Sequence, residues 1–324
     1  MTSEAREGRA TSRRASPEEL AWERRFGLPA GLAGLLAAVL FILALYLRAV
    51  SLRSSSSDAD KVLRVADRHT GGLYASSIAQ AIGALLVGIV LLYLYRAARH
   101  RRPDLPPVTQ WLVIVGALAV AVMSFLAQYE FVQAAKEFVT TKPPHPNLSA
   151  IKGSSAYLQA VEALDPKKRA EDISNAHFGG GLQAALFGAN FVLGLGVILT
   201  SLWARRAGLL ARFMGILGII VGVLYALPFL GGGGGFLQIP WLGAAGLILM
   251  DRWPRERGEA WSTGEPVPWL SMAELRAMEQ RGAGPPQKRA PERRTEPEPD
   301  VEPEAAQAPT RTSRKRKRKQ GRKH

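Results

Sequence analysis

Leu28 to Leu47 reads LPAGLAGLLAAVLFILALYL, a run of 20 residues without one charge. A helix of that length crosses a hydrocarbon core of about 30 Å. Five more stretches share the property: Leu73 to Tyr95, Thr109 to Tyr129, Gly181 to Trp203, Phe213 to Leu230 and Phe236 to Met250. All 42 Lys and Arg and all 27 Asp and Glu lie outside these six runs. A water-soluble chain would scatter charge along the outer face of nearly every helix. The pattern predicts an all-α fold, a six-span transmembrane helix bundle.

Working outward, the spans divide the chain. Residues 1–26 form an N-terminal arm and residues 27–250 the transmembrane domain. Residues 251–284 are a juxtamembrane segment with one short helix, from the capping box Ser271-Met272-Ala273-Glu274 to Gly282. Residues 285–324 are rich in Pro and Glu, then in Lys and Arg, and bury too little apolar surface to fold. In the arm, Ser16-Pro17-Glu18-Glu19 starts a helix that should run through Arg25. Gly27 and Pro29 should then separate it from the first span. The third span should continue to about Thr140, because Phe131, Val132, Ala134, Ala135, Phe138 and Val139 keep helical spacing and Pro143 follows. Tyr157 to Leu164, Lys167 to Ala176 and Asp58 to Arg68 should supply a small external helical cap. The last span is short and contains Pro240; with Pro228 and the run Gly231 to Gly235, it reads as a tight turn between two short helices.

Orientation follows from the short loops. Arg96, Arg99, Arg101 and Arg102 crowd one, and Arg205, Arg206 and Arg212 the next. Basic residues in short loops are retained on the cytoplasmic side. Both termini are therefore assigned to the cytoplasm of a bacterial inner membrane. Arg48, Arg53, Lys61, Arg64 and Arg68 dissent on the first external loop, where three acids accompany them.

The chemistry is sparse. The chain has no cysteine, which removes disulfides, thiolate metal sites and thiol catalysis. No span holds a histidine or any other charged group, so a proton relay at depth is absent, as is the serine-and-base pair of an intramembrane protease. His69, His145 and His177 lie near Asp67, Glu171 and Asp172 without tight ligand spacing, and read as scattered surface histidines. No cofactor, metal or catalytic residue is assigned. Gln183 and Asn190 are seven apart on one face of the fourth span and are the candidates for a small polar cavity; hydrogen bonding to a neighbouring helix is the plainer use. Small residues four apart, Gly27 with Gly31, Ala30 with Gly34, Ala84 with Gly88, Ala184 with Gly188 and Gly218 with Gly222, serve close helix packing within one bundle.

The net charge is +15, and the C-terminal end concentrates it: Arg314, Lys315, Arg316, Lys317, Arg318, Lys319, Arg322 and Lys323, with no acid after Glu304. The partners so implied are the lipid bilayer and, through this tail, anionic lipid. Specific nucleic-acid recognition is disfavoured, since no aromatic is interleaved for base stacking.

The stretch Ala204-Arg205-Arg206-Ala207-Gly208-Leu209-Leu210-Ala211-Arg212-Phe213-Met214-Gly215-Ile216-Leu217-Gly218, with Asp251-Arg252-Trp253-Pro254 after the last span, resembles uncharacterised multi-pass membrane proteins of actinobacteria. The likeness covers mainly residues 180–255. It implies a multi-pass class and a topology, and no site. The expectation is a non-enzymatic polytopic membrane protein, a scaffold or partner subunit. The alternatives are a transporter or permease for a small neutral or lipidic solute, and a membrane sensor or accessory protein using the external loops.

Overall fold

The computed structural model describes residues 13–53, 58–141, 164–227, 234–253 and 258–267, together with Arg276. Every described stretch but Arg276 belongs to one compact unit, Met1–Trp269; Arg276 belongs to a second, Leu270–His324. The described secondary structure is helical throughout: α1 (Pro17–Ser51), α2 (Ala59–Arg68), α3 (Thr70–Arg101), α4 (Val108–Thr140), α5 (Pro166–His177), α6 (Gly180–Arg206), α7 (Arg212–Ala226), α8 (Gly234–Leu249) and α9 (Glu259–Thr263). Of the helix expected over 271–282 only Arg276 is described, of the one over 157–164 only Leu164, and the tail lies outside the described residues.

Four helices, α1, α3, α4 and α6, are long and apolar enough to cross a membrane; α7 and α8 are apolar but shorter. The chain is a membrane protein by a second criterion too. Leu32, Leu36, Val39, Ile82, Ile89, Trp111, Val115, Leu118, Val122 and Ile220 point outward, while Ala37, Ala84, Ala98 and Ala245 are fully buried. Large side chains outside and small ones between helices suit lipid, where association rests on close packing rather than on hydrophobic burial.

α1, α3, α4, α6, α7 and α8 form a ring in which each helix touches the next and α8 returns to α1. Neighbours run antiparallel. Ser76 Oγ near the start of α3 donates to the Ala44 carbonyl near the end of α1, and the Tyr93 hydroxyl near the end of α3 donates to the Glu23 carbonyl near the start of α1. Glycines set the separations. A Cβ at Gly116 would lie 2.6 Å from Leu193 Cα, one at Gly194 2.6 Å from Ala226 N, and one at Gly246 2.7 Å from the Gly31 carbonyl oxygen. Of the small-residue pairs, Gly31, Gly34, Gly88, Gly218 and Gly222 meet neighbouring helices, whereas Gly188 faces open space.

One expectation about the arm fails. α1 is continuous from Pro17 to Ser51, with Pro29 inside it and no break at Gly27. Pro29 removes a single backbone bond and its ring crowds only the preceding turn. The flanking helix is held on both sides, by the capping box at Ser16 (Glu19 N to Ser16 Oγ 3.2 Å, Ser16 N to Glu19 Oε2 2.8 Å) and by buried Gly27 and Ala30 packing into the bundle.

At the opposite end α4 does run on to Thr140, and α2 and α5 pack on it as a helical cap. Leu63, Ala66, Val132, Ala135, Phe138 and Ala170 form its small core. Arg64 and Arg169 both stack on the Phe138 ring, and Arg169 also donates to the Phe138 and Thr141 carbonyls.

Candidate functional site

A cavity lies toward the cap-side half of the ring. It measures about 440 Å³ and is lined by residues from all six ring helices and by Phe178. That size lies within the range of small-molecule sites, roughly 300–1,000 Å³. Its wall is mostly apolar: Phe41, Ala44 and Leu45 of α1, Val120, Ala127 and Phe131 of α4, Leu186 of α6 and Leu224 of α7. Between Val120 and Phe131 the α4 wall rises about 16 Å at 1.5 Å per residue.

Eight polar side chains interrupt that wall: Arg48, Ser76, Gln80, Ser124, Gln128, Asn190, Tyr225 and Gln238. Ser76 is satisfied by the Ala44 carbonyl at 2.9 Å and Asn190 Nδ2 by the Leu186 carbonyl of its own helix at 2.8 Å. Two groups are different. Gln128 is 7% exposed and Gln238 is 4% exposed, yet the Nε2 of each has no partner. An unpaired amide donor buried among apolar walls costs about 1–3 kcal/mol, so each amide is left to meet a water or a bound molecule in the cavity. Among the described residues, no carboxylate or imidazole lines the cavity.

Of the two cavity candidates read from the sequence, Asn190 is in the wall and Gln183 is an exposed residue outside it. Seven residues of helix bring both to one face of α6, but α6 turns that face to the cavity only below Leu186. Gln80, Ser124, Gln128 and Gln238 are visible in the sequence as polar residues within or near spans. Nothing in their spacing says that three different helices aim them at one space. The tail cations Arg314 to Lys323 lie outside the described residues.

A second polar cluster closes the arm end. Arg101 is fully buried and Glu23 is 3% exposed. Arg101 Nη1 donates to Glu23 Oε1 (2.7 Å) and to the Ala97 carbonyl (2.8 Å). Its Nη2 donates to Glu23 Oε2 (3.0 Å) and the Ala260 carbonyl (2.7 Å), and its Nε to Ala260 again (3.1 Å). Five N–H groups make five bonds, the full complement of a guanidinium. His100 Nδ1 lies 3.1 Å from the same Glu23 oxygen, and Trp22, Tyr93 and Trp261 stack beside it. Residues 258–267 thus strap the arm end. Trp261 Nε1 donates to the Leu209 carbonyl at 2.9 Å and Ala15 N to the Gly264 carbonyl at 2.9 Å. Gly208 (φ 76°) lies against the Val267 carbonyl where any Cβ would collide. The sequence reading took Arg101 for a loop charge and the chain past Met250 for a solvated segment. Partners 78 and 159 residues away leave no local signal.

At the cap, His177 bridges Glu130 (Nδ1 to Oε2, 2.8 Å) and Glu137 (Nε2 to Oε2, 2.9 Å), not Glu171 or Asp172. These two carboxylates raise the His177 pKa above its ordinary value. His69 Nδ1 pairs with the Val65 carbonyl of its own helix, and His145 lies outside the described residues. Among the described residues no cluster has the makings of a metal site.

The family profile described as a domain of unknown function, DUF4386, matches residues 30–250. The chain belongs to the DUF4386 family. The DUF4386 region contains every residue of the cavity wall. Glu23 and the 258–267 strap fall outside it. Neither a curated protein nor a solved structure matches the chain.

Proposed function

We propose that this DUF4386 protein is a non-enzymatic membrane protein that receives a small, largely apolar solute in its bundle, in the manner of a permease or carrier. The observation that carries the reading is the pair of buried, unpaired amide donors, Gln128 Nε2 and Gln238 Nε2, on a cavity that all six ring helices line. A cavity of about 440 Å³ with unpaired donors in its wall supports a bound solute over a solid scaffold bundle. The cavity lies toward the cap, and the arm end is tied by Glu23, Arg101 and the strap, which supports access from the cap side. α7 and α8 complete six spans as the two short members of the ring. The Arg-rich loops support cytoplasmic termini in a bacterial inner membrane, and the basic tail, Arg314 to Lys323, rests on anionic lipid. No cofactor takes part.

The test is mass spectrometry of small molecules released from the purified full-length protein. A compound bound by the wild type and missing from Ala127→Trp, which fills the cavity, supports the carrier reading. Identical empty spectra from both return the protein to the scaffold class.

A further inference from the structure

The cavity wall is chemically one-sided. Among the described residues it carries one cation, Arg48, two unpaired amide donors and no acid. Arg48 sits in the last turn of α1, and among the described residues no carboxylate pairs with it. The nearby acids are spoken for: Asp58 holds Lys61 and Lys167, each at 2.8 Å, and Glu130 holds His177. On the register of the ring, Arg48 lies about one helical turn further toward the cap than Gln128. Gly88 of α3 meets Ala117 of α4, which puts Ser76 level with Gln128. Ser76 bonds Ala44, one turn below Arg48. So Arg48 and Gln128 both line the cap-side part of the cavity, whose apolar wall includes Phe41, Leu45, Val120, Phe131 and Leu186.

We infer that the ligand is an amphipathic carboxylate, with its anionic head held by Arg48 and Gln128 Nε2 and its hydrocarbon body in the cavity below. The inference rests on the carrier reading and narrows its substrate from neutral or lipidic solutes to anionic ones. Guanidinium and carboxylate match in planar, two-point geometry, and such charge-assisted bonds are about twice as strong as neutral ones. Low-dielectric walls strengthen the attraction. A cationic amphiphile meets Arg48 as a like charge and finds no counter-ion. A neutral alcohol keeps the apolar contacts and loses the ion pair.

Isotope-labelled octanoate, 1-octanol and octylamine, added to the full chain in neutral-lipid nanodiscs, test this at neutral pH. Binding is read by scintillation proximity against protein-free discs, which removes partition into lipid. Octanoate should bind at least tenfold more tightly than octanol, a difference of about 1.4 kcal/mol, and octylamine should not bind above the blank. Arg48→Gln should bring octanoate down to the level of octanol and leave octanol unchanged. Arg48→Lys, which keeps the charge without the planar fork, should recover part of the loss. Gln128→Leu should weaken octanoate with Arg48 intact. Equal binding of octanoate and octanol, insensitive to Arg48→Gln but abolished by Ala127→Trp, overturns the anionic head and leaves the carrier reading standing. No binding of any of the three probes overturns both.

Discussion

Arg101 and Glu23 face each other through two parallel hydrogen bonds of 2.7 and 3.0 Å, both residues buried at the point where α1, α3 and the 258–267 strap converge. The pair welds the arm end of the ring. Each partner also holds something else: Glu23 takes His100 at 3.1 Å, and Arg101 takes the Ala260 and Ala97 carbonyls. Losing either one leaves a buried charge without its counterpart.

Arg101→Met should therefore destabilise the protein by about 3–5 kcal/mol, because the Glu23 carboxylate stays behind. The double variant Glu23→Leu, Arg101→Met should recover most of that. Thermal unfolding of both in detergent checks it. A double variant no better than the single one would mean that the Ala260 contacts, not the ion pair, hold the end together.

The close helix contacts predict a contrast among glycines on or beside α6. Gly116→Ala and Gly194→Ala should each cost about 1–3 kcal/mol, since the new methyl meets backbone rather than a yielding side chain. Gly188→Ala has open space in front of it and should be neutral, or stabilise by up to about 1 kcal/mol through helix propensity. The same unfolding measurement ranks all three.

His177 makes the cap sensitive to pH. The Glu130 and Glu137 carboxylates raise its pKa above the ordinary 6.5. A histidine of this kind adds stability that is complete below its unfolded pKa and is lost as pH rises through the higher, folded value. The cap should then open more readily as pH climbs above about 6.5. Hydrogen exchange of α5, corrected for intrinsic rate, should show this loss of protection in the wild type and not in His177→Gln.

The Arg-rich loops predict sidedness. The chain has no native cysteine, so single cysteines report cleanly. An impermeant thiol reagent added to intact cells should label Ser55→Cys and Ser154→Cys, and should not label Pro103→Cys. Labelling of Pro103→Cys alone would invert the orientation.

Charge exclusion over 20 residues is a one-dimensional property, and it was enough to read Leu28 to Leu47 and its companions as apolar helices for lipid. Capping at Ser16 and the extension of α4 to Thr140 were legible for the same reason: each depends on residues three or four apart. The break expected at Pro29 was read locally too and did not occur, because packing of the flanking turns outweighs one lost backbone bond. The cavity was beyond such reading. Gln80, Gln128, Asn190 and Gln238 sit on four helices, and only the ring order and its glycine-set registers turn them toward one space while turning Gln183 away. The Glu23–Arg101–Ala260 lock is non-local in the same sense. Helix formation depends on neighbours in the chain; what a polar side chain faces depends on which other helix lies opposite.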